Sequence, residues 1–592
     1  MKLTLIFILL KISFCFSQSA NENVERKIDS LFAEYNSKTA GVAVAVVKNG
    51  KVIFEKGYGM ANLEYDIPIT PKTIFHVASV SKQFTAFSIY LLEKQGEISF
   101  EDDIRKYIPE LPKYGKSIKI KHLLAHTSGL RDQWAILTLA GWHMEDVITT
   151  EQILKLASKQ KELNFETGTA FGYSNTGYTL LAEIIKRITG QSFAEYTKTN
   201  IFEPLGMENT QFYDNFEKVL KNRAYSYEIK NKHYVKRELN YSNVGATSLM
   251  TTVEDLVKWT NNFQNPKIGD PKLIKEFNKI SLLDNNKSVI WASIPNDTTY
   301  HSKGQLQWKY KGLQVISHGG HDAGFRAVIT RFPKNELSII ALSNNEHFQT
   351  LGQILPIADL LLKEQFVETP TVENFNNQVN VKKENYSNIL TDFVGKYQSD
   401  ELTTEYKIQI ADEKLIMTHQ RLSDIDLSAI GKGKFSGTNT FGFEIEFLRT
   451  GQKIVGFEIS NFGAKRVRFN KTPEHINNHT SDNDLGLKLV EEQLIAYNSR
   501  YLEAFLRPYS ENVEISNFPN DIYGKGIGFL KKNYGELFAE SPNLHCELLN
   551  RIVLGNTIID HEKVSGLANI ETFEAIAVYK IENNKISKVY FI

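Results

Sequence analysis

The sequence predicts three folded units: an α/β domain whose terminal strands share one sheet, a small β-barrel or sandwich, and an α+β unit. Three patterns carry this prediction. Strand-like runs lie at both ends of the first 365 residues, with helical periodicity between them. Short strand-like runs separated by Gly and Asp turns then extend from Phe393 to Phe469. Finally, helical patterns precede four further strand-like runs, which is typical of an α+β arrangement.

Composition excludes several classes of protein. The 592 residues contain 69 Lys and Arg against 69 Asp and Glu, with a pI near 7.2, so a polybasic nucleic-acid binder is not expected. The two cysteines, Cys15 and Cys546, are too few for a disulfide framework or a Cys-based zinc site. No run after residue 20 reaches the roughly 18 apolar residues of a membrane span. We therefore expect no metal, no cofactor and no nucleic-acid partner.

Residues 1–17 have the pattern of a secretory signal peptide. Met1-Lys2 give a positive start, an apolar run follows, and Ser17 closes it before a polar segment. Cleavage after Ser17 predicts a periplasmic or secreted protein whose mature chain retains only Cys546. Phe14 before Cys15 matches a lipoprotein signal poorly, so we do not expect a lipid anchor.

The first domain is predicted to span residues 22–365. The run from Gly41 to Phe54 contains an Asn-Gly pair and predicts a β-hairpin. Apolar residues at helical spacing predict one helix from Ser81 to Gln95 and another from about Thr179 to Thr189. Strand patterns return at 327–332 and 338–342. Because strands occur at both ends of the domain, we expect them to lie in the same sheet.

Two linkers separate the later domains. Residues 366–388 lack clear periodicity, and residues 471–485 are rich in Asn, His, Thr and Asp. The predicted barrel domain therefore spans residues 389–470, and the C-terminal domain spans residues 486–592. Within the C-terminal domain, we expect helices at 488–506 and 526–538, and strands at 543–554, 556–565, 573–581 and 585–591.

A Ser-x-x-Lys pair lies at the start of the helix predicted from residue 81. The two residues face the same side, one turn apart, and the positive helix end and burial lower the pKa of the amine so that it can accept the serine proton. The pattern occurs at Ser79/Lys82 and again at Ser158/Lys161. The second pair lies in a lysine-rich stretch that is typical of a solvated helix face. Taken alone, Ser79 is also compatible with a helix N-cap.

Five ordered segments favour the catalytic interpretation of Ser79. They are Phe75-His-Val-Ala-Ser-Val-Ser-Lys-Gln-Phe-Thr, Leu123-Leu-Ala-His-Thr-Ser-Gly-Leu, Phe165-Glu-Thr-Gly-Thr-Ala-Phe-Gly-Tyr-Ser-Asn, Gly245-Ala-Thr-Ser-Leu-Met-Thr-Thr-Val-Glu-Asp-Leu and His318-Gly-Gly-His-Asp-Ala-Gly-Phe. In these segments the sequence resembles the serine β-lactamase and penicillin-binding-protein superfamily, in its class C-like branch with D-aminopeptidases and esterases. For the first domain, the resemblance implies an antiparallel sheet combined with a helical subdomain.

The resemblance also implies a role for each matching residue. Ser79 is the expected nucleophile, and Lys82 is its expected proton acceptor or relay. Tyr173 is expected to act as a second general base and acid, with its phenolate favoured by the neighbouring ammonium. Asn175 is expected to hydrogen-bond Lys82 or a substrate amide. His126, from the second segment, is expected to be structural.

The last of the five segments is expected to form a sheet-edge strand along the site. The resemblance implies an oxyanion hole made by the backbone N–H groups of Ser79 and His321. Gly319 and Gly320 are expected to allow a substrate backbone to approach this strand closely.

The same segment departs from the better-known family pattern. His318 stands where a lysine able to hold a substrate carboxylate is usual, and a histidine is mostly neutral near pH 7. Arg326 either restores a positive charge near the site or is a surface strand residue. Esters, and peptides with a free amino end, therefore fit this site at least as well as carboxylate-bearing penicillins.

The two later domains carry resemblances of their own. Phe393-Val-Gly-Lys-Tyr and Ile454-Val-Gly-Phe-Glu-Ile resemble a small lipocalin-like β-barrel domain, whose expected role is substrate access or stability. Residues 491–592 resemble the SnoaL-like cone fold, which is similar to nuclear transport factor 2. The second resemblance implies an apolar pocket for a small hydrophobic ligand, or proton-transfer chemistry, and a dimer through this domain.

Candidate pocket residues in the C-terminal domain are Tyr523, His545 and His561. Each is also explained as a satisfied structural polar group. In a strand, Asp560 and His561 point to opposite faces, so only one of the two faces the interior.

The leading functional hypothesis is an exported serine hydrolase that acts through a Ser79 acyl-enzyme. Its substrate carries an ester, amide or β-lactam carbonyl, as for an esterase, a D-aminopeptidase or a DD-peptidase. Two alternatives stay open. One is an acylable or ligand-binding sensor with little turnover, and the other is isomerase or cyclase activity in the C-terminal domain.

Overall fold

The structure is a computed structural model that describes residues 23–294, 297–367, 390–472, 480–519, 521–567 and 570–592. The predicted signal peptide lies outside these residues, as does most of the predicted linker 366–388. The chain divides into two compact units, Met1–Thr472 and Pro473–Ile592. The first unit contains both the predicted α/β domain and the predicted barrel.

The α/β domain consists of a large sheet, several short strands and a set of helices. Its strands, β1 to β15 in chain order, are Val42–Lys48, Lys51–Tyr58, Met60–Asn62, Ile67–Pro68, Phe75–His76, Gln211–Phe212, Ser226–Lys230, His233–Arg237, Leu249–Thr251, Ile290–Ile294, Asp297–Ser302, Gln305–Tyr310, Leu313–Asp322, Phe325–Phe332 and Leu337–Ser343. Its helices, α1 to α11, are residues 23–31, Ser81–Gln95, Ile120–Leu124, Gln133–Leu139, Thr150–Ala157, Asn175–Thr189, Phe193–Thr197, Glu203–Leu205, Val253–Asn262, Pro271–Phe277 and Thr350–Leu362.

Eight of these strands form one antiparallel sheet in the order β10-β11-β12-β13-β14-β15-β1-β2. Strand β1 pairs with β15, with Val42 opposite Ser343, so the prediction that the terminal strands share one sheet is confirmed. The β1–β2 hairpin turns at Asn49 and Gly50, whose φ values of 50° and 72° suit a two-residue turn. Strand β13 lies between β12 and β14. Its pairing with β12 ends at Ser317, however, and residues 318–322 pair with β14 alone, so the His318 segment does form a sheet edge, as expected.

Helices α2 and α6 form the centre of the helical layer, and both begin at the candidate site. Helix α2 has the predicted bounds and packs Phe84 against Trp259, with ring centroids 4.3 Å apart. Helix α6 begins at Asn175, earlier than predicted, because the Ser174 side chain accepts a hydrogen bond from the Gly177 N–H and caps the first turn.

The second domain is a closed eight-stranded antiparallel barrel, which confirms the barrel alternative of the prediction. Its strands, β16 to β23, are Gly395–Ser399, Thr404–Ala411, Lys414–His419, Leu422–Gly431, Lys434–Thr438, Gly442–Thr450, Lys453–Asn461 and Val467–Lys471. The first and last strands pair, with Tyr397 opposite Lys471, and close the barrel. Buried aromatic rings fill the interior, and α4 packs three residues, Ala135, Ile136 and Leu139, into the same core.

The C-terminal unit combines helices with a mixed six-stranded sheet, but the predicted order is only partly met, because two strands that were not predicted precede the last helix. Helices α12 to α14 are Thr480–Ser499, Leu502–Leu506 and Ile527–Glu540, and strands β24 to β29 are Tyr509–Asn517, Asp521–Lys525, His545–Leu554, Thr557–Leu567, Ile570–Glu582 and Lys585–Phe591. The sheet order is β25-β24-β29-β28-β27-β26, and β24 runs parallel to β29. Helix α12 begins inside the predicted linker 471–485. The resemblance to the cone fold stays a prediction.

Candidate active site

Ser79 lies in a tight turn that leads into α2. Residues Ala78–Val80 form one turn of 3₁₀ helix, and Ala78 has a φ of 47°, which is uncommon for a residue other than glycine. The Ser81 hydroxyl stabilises this turn by donating to the Ala78 carbonyl at 2.5 Å. One turn further, the Lys82 ammonium nitrogen is 3.0 Å from the Ser79 hydroxyl oxygen. The spacing of the Ser-x-x-Lys pair therefore places the two groups in contact.

Lys82 is fully buried and held by three partners. Besides Ser79, its Nζ contacts Asn175 Oδ1 and the Ala246 carbonyl oxygen, each at 2.7 Å. Burial lowers the pKa of Lys82 to about 7, against the opposing effect of the carboxylates of Asp322 and Asp132. A substantial fraction of the amine is consequently neutral at pH 7 and able to accept a proton.

Tyr173 contacts Ser79 from the other side. Its hydroxyl donates to the Ser79 Oγ at 2.9 Å, and its ring packs against His126 with centroids 4.3 Å apart. Burial raises the pKa of the Tyr173 phenol above its ordinary value, although the hydrogen bond to Ser79 opposes this. The expectation of a favoured phenolate is not met, because burial disfavours the charged form of the phenol and the Lys82 amine is only partly protonated at pH 7. The phenol keeps its proton near pH 7.

Asp132, which the sequence analysis did not single out, holds Asn175 in place. Its buried carboxylate accepts from the Asn175 N–H at 2.6 Å and from the Asn175 side-chain amide at 2.7 Å. It also caps α4 by accepting from the Trp134 N–H at 2.9 Å. The Asn175 side chain is thereby oriented with its oxygen towards Lys82. An Asp before a helical pattern is a capping signal, but nothing in it points to the site.

The barrel domain contributes directly to the surroundings of Asp132. The Asp132 N–H donates to the Gly463 carbonyl at 2.8 Å. A Cβ on Gly463 would lie 2.6 Å from the Asp132 Cβ, so the close approach requires glycine. Next to Asp132, Arg131 is fully buried and forms an ion pair with Glu401 of the barrel at 2.6 Å. Arg131 also donates to the carbonyls of Lys465 and Arg466 at 3.1 and 3.0 Å.

The His318 segment runs along the opposite side of the site as the end of β13. A Cβ on Gly320 would overlap the Val77 carbonyl, which places this strand against the turn that carries Ser79. Gly319 pairs with Val328 and Gly320 pairs with Ala327 of β14. The backbones of Ser79 and His321 therefore belong to two segments that lie side by side.

No fixed positive charge occupies the position of His318. Its side chain is buried, Nδ1 lies 2.6 Å from the Gly319 carbonyl, and burial lowers the pKa of the imidazole to about 4. Arg326 is half-buried and donates from Nη1 to the carbonyls of Ala323 and Phe325, each at 2.8 Å. The Arg326 guanidinium is thus bound by its own hairpin.

The second Ser-x-x-Lys pair lies apart from these groups. The Ser158 hydroxyl donates to the Lys155 carbonyl at 2.9 Å, and the exposed Lys161 ammonium is 3.4 Å from Asp400. The structure thus places Ser158 and Lys161 among ordinary surface interactions.

A cavity of about 590 Å³ lies in the C-terminal unit. Tyr523 lines it, whereas His545 is exposed and His561 pairs with Glu574 at 2.8 Å without lining it. Strand alternation explains the difference, because the neighbouring residues Cys546 and Glu562 face the cavity instead. Asp560 is buried in an ion pair with Arg551 at 2.6 Å.

Glu562 is the buried acid of this cavity and was missed by the sequence analysis. Its Oε1 accepts from the Tyr579 hydroxyl at 3.1 Å, and the Cys546 thiol is a second hydrogen-bond partner. Tyr579 accepts in turn from the Gln493 amide at 3.1 Å. Burial, and then the charge of Asp560, raises the pKa of Glu562 to about 7.

The described residues bear on two further features, a metal site and a membrane-spanning helix. No group of three or more His, Cys, Asp or Glu side chains in these ranges is arranged to hold a metal ion. Among the helices that the structure describes, none is both long and apolar enough to cross a membrane.

Comparison with known proteins identifies the family of the first domain. A family model described as β-lactamase matches residues 28–363. Penicillin-binding protein 4* of Bacillus subtilis (strain 168) is 28% identical over 368 residues, which cover 59% of this chain and 78% of that protein. A D-aminopeptidase of Gluconobacter oxydans (strain 621H) is 27% identical over 333 residues, 56% of this chain and 60% of that protein.

A solved structure agrees with this assignment at the level of the fold. The octameric penicillin-binding protein homologue from Pyrococcus abyssi aligns with 76% of this chain and 99% of its own, with a TM-score of 0.51 and 23% identity. Because the family model covers more than half of the 592 residues, the chain belongs to the β-lactamase family and is a serine hydrolase of the β-lactamase and penicillin-binding-protein superfamily.

Proposed function

We propose that the chain is an exported hydrolase in which Ser79 forms an acyl-enzyme with an ester, amide or β-lactam carbonyl. One observation carries the proposal: the Ser79 hydroxyl lies between the Lys82 amine at 3.0 Å and the Tyr173 phenol at 2.9 Å. The apolar stretches at residues 3–10 and 12–16, which Lys11 separates, support export to the periplasm or beyond.

Acylation follows from the protonation states of these two groups. Ser79 Oγ bonds to the substrate carbonyl carbon while its proton passes to the neutral Lys82 amine. The N–H groups of Ser79 and His321 stabilise the oxyanion. Tyr173, which keeps its proton, donates it to the leaving nitrogen or oxygen as the carbonyl–leaving group bond breaks. The proton that Lys82 took from Ser79 then passes to the Tyr173 phenolate, so both groups recover their starting states.

Deacylation repeats the sequence with water as the nucleophile. Water adds to the acyl carbonyl and gives a proton to the Lys82 amine, and the bond to Ser79 Oγ then breaks. The serine regains its proton and the acid product leaves. Asn175 and Asp132 keep the amine aligned with Ser79 throughout.

A fluorophosphonate probe tests this proposal. We expect one adduct per wild-type chain by intact mass, and none in Ser79→Ala, because only an activated serine attacks the probe. Ser158→Ala is the matched control, since Ser158 occupies the other Ser-x-x-Lys pair, and it should label like wild type. Labelling that persists in Ser79→Ala, or a wild-type chain that never labels, would contradict the acyl-enzyme. Labelling of wild type then justifies a screen of unlabelled wild-type protein with esters, β-lactams and D-amino acid peptides.

The cavity of the C-terminal unit favours a second function, which is the binding of an uncharged, mainly apolar molecule that carries a carbonyl. Aromatic residues supply much of its lining, including Tyr497, Phe505 and Tyr534, and its volume is within the usual range for small-molecule sites. The Glu562 carboxyl group already accepts a hydrogen bond from the Tyr579 hydroxyl. When Glu562 is protonated, its own O–H is left to donate to a ligand oxygen.

A naphthyl ketone whose fluorescence responds to polarity tests this second function on the full chain. We expect its emission to shift to the blue on binding, and its affinity to fall as pH rises through about 7, the pKa to which burial raises Glu562. Glu562→Gln keeps an N–H donor and should bind without this pH dependence. The control Glu547→Gln, exposed on β26, should behave as wild type. The same pH dependence in Glu562→Gln would refute the assignment.

A further inference from the structure

Asp322 ends strand β13 beside the groups that surround Ser79. Its side chain is 16% exposed. The carboxylate accepts from the Thr247 hydroxyl at 2.5 Å, and Thr247 follows Ala246, whose carbonyl binds the Lys82 amine at 2.7 Å. The adjacent residues Ala246 and Thr247 therefore bind both the Lys82 amine and the Asp322 carboxylate.

In the part of the chain that the structure describes, no lysine or arginine forms an ion pair with Asp322, although the charges of Lys82 and Arg326 act on it from a longer distance and lower its pKa. The basic group within ion-pair distance is His76, at 3.8 Å, and burial lowers the pKa of this imidazole to about 3, so it is neutral at pH 7. Arg326, the nearest guanidinium along the strand pair, is bound to the carbonyls of its own hairpin. The carboxylate is thus held by one hydroxyl and remains partly open to solvent.

The charge of Asp322 nevertheless reaches the reacting groups. It raises the pKa of the Lys82 amine and of the Tyr173 phenol. On the same strand, the buried imidazole of His318 is neutral. A partly exposed carboxylate therefore lies within electrostatic reach of the groups around Ser79, and the one arginine that acts on it, Arg326, is hydrogen-bonded to its own hairpin.

We propose that Asp322 is the subsite for a substrate ammonium group, so that the enzyme selects amides and esters of amino acids and peptides with a free amino end. The proposal rests on the proposed acyl-enzyme function, because it names the substrate class of the Ser79 site. A partly desolvated carboxylate forms a charge-assisted hydrogen bond that is stronger than the same contact in water. An acylated amine loses this contact, and a substrate carboxylate at the same position is repelled.

Binding to the Ser79→Ala chain tests the subsite without relying on turnover. Calorimetry compares each enantiomer of leucinamide with 4-methylpentanamide, which lacks only the amino group. We expect at least one enantiomer to bind about 10- to 100-fold more tightly than the uncharged amide, the range for a hydrogen bond to a charged group. Adding Asp322→Asn should bring the ratio of the two affinities close to one, with an unchanged thermal midpoint as evidence of folding.

A matched control is Glu336→Gln, also in the Ser79→Ala background. Glu336 is an exposed acid between β14 and β15, at the end of β14 opposite the Asp322 hairpin. Its loss should leave the preference for leucinamide intact. Equal affinities for the two amides, no measurable binding of leucinamide, or a preference that survives Asp322→Asn would each overturn the subsite. Failure of the acyl-enzyme itself would appear separately, as absent fluorophosphonate labelling of Ser79.

The pH dependence of binding gives a second readout. Burial raises the pKa of Asp322 to about 6, so the preference for the ammonium ligand should fade as pH falls through this value. Among the groups that face Asp322, His76 stays neutral and Arg326 stays charged over this range, while Thr247 does not titrate. Lys82 becomes fully cationic below about 7 and acts in the same direction. A preference that grows on acidification would contradict the assignment.

Discussion

Replacing Lys82 with methionine should lower the rate of Ser79 acylation by about 10²- to 10⁴-fold, the usual contribution of a positioned proton acceptor. The Lys82 amine is the group that takes the serine proton, and methionine has a similar size without a basic atom. The wild-type rate should rise as pH increases through about 7, because only the neutral amine accepts a proton. This inflection should be absent from Lys82→Met.

The rate of fluorophosphonate labelling as a function of pH measures both effects. Lys94→Met is the control, since Lys94 lies on the same helix and is 48% exposed in an ion pair with Asp270. It should keep the wild-type rate and profile. A Lys82→Met chain that is folded by circular dichroism and labels with the wild-type pH profile would exclude Lys82 as the acceptor.

Replacing Glu401 with alanine should lower the free energy of unfolding of the first unit by about 3–5 kcal/mol, the usual cost of removing one partner of a buried ion pair. Glu401 is 4% exposed and Arg131 is fully buried, so the guanidinium would lose its counter-charge without gaining water. The Lys161 N–H would also lose its acceptor, at 2.7 Å from Glu401.

Urea unfolding followed by circular dichroism measures this loss. The adjacent Asp400 provides the control, because it is 69% exposed and its contact with Lys161 is a surface ion pair. Asp400→Ala should change the unfolding free energy by less than about 0.5 kcal/mol. If the two variants unfold alike, the pair between the barrel and the hydrolase domain is not a source of stability.

Local patterns predicted the elements of this fold that depend on neighbouring residues. The hairpin at Asn49-Gly50 and helix α2 match the sequence-based expectations, because turn geometry and helical periodicity are set within a few residues. The start of α6 was misjudged because the cap at Ser174 precedes the apolar pattern. The pairing of β1 with β15 joins residues about 300 positions apart in the chain, and no local pattern encodes its register.

The candidate active site also contains features that neighbouring residues determine and features that only the folded chain creates. Ser79 and Lys82 are one turn apart, so their contact followed from spacing. Asp132 and Asp322 were missed because their connection to Lys82 passes through Asn175 and through Thr247, which folding alone brings together. The protonation of Tyr173 was misjudged for a related reason, since the depth of burial that controls it is a property of the whole domain.

In the C-terminal unit, the alternation of side chains along strand β27 was applied to Asp560 and His561, but the residue that matters for the cavity is Glu562. It separates Asp560 from His561, as expected, but it also places Glu562 and Cys546 on the cavity side. Which of two faces is the interior depends on the packing of helices against the sheet. Which acid of β27 lines the cavity is therefore set by tertiary packing, and the sequence alone did not reveal it.

The Gly463 contact has a consequence for exchanging the barrel in engineered proteins. The carbonyl that accepts from the Asp132 N–H belongs to the barrel, and Asp132 in turn orients Asn175 towards Lys82. A hydrolase domain joined to a foreign barrel would therefore need a carbonyl in the place of Gly463 and an acid in the place of Glu401. At these two contacts the hydrolase domain and the barrel are fitted to each other.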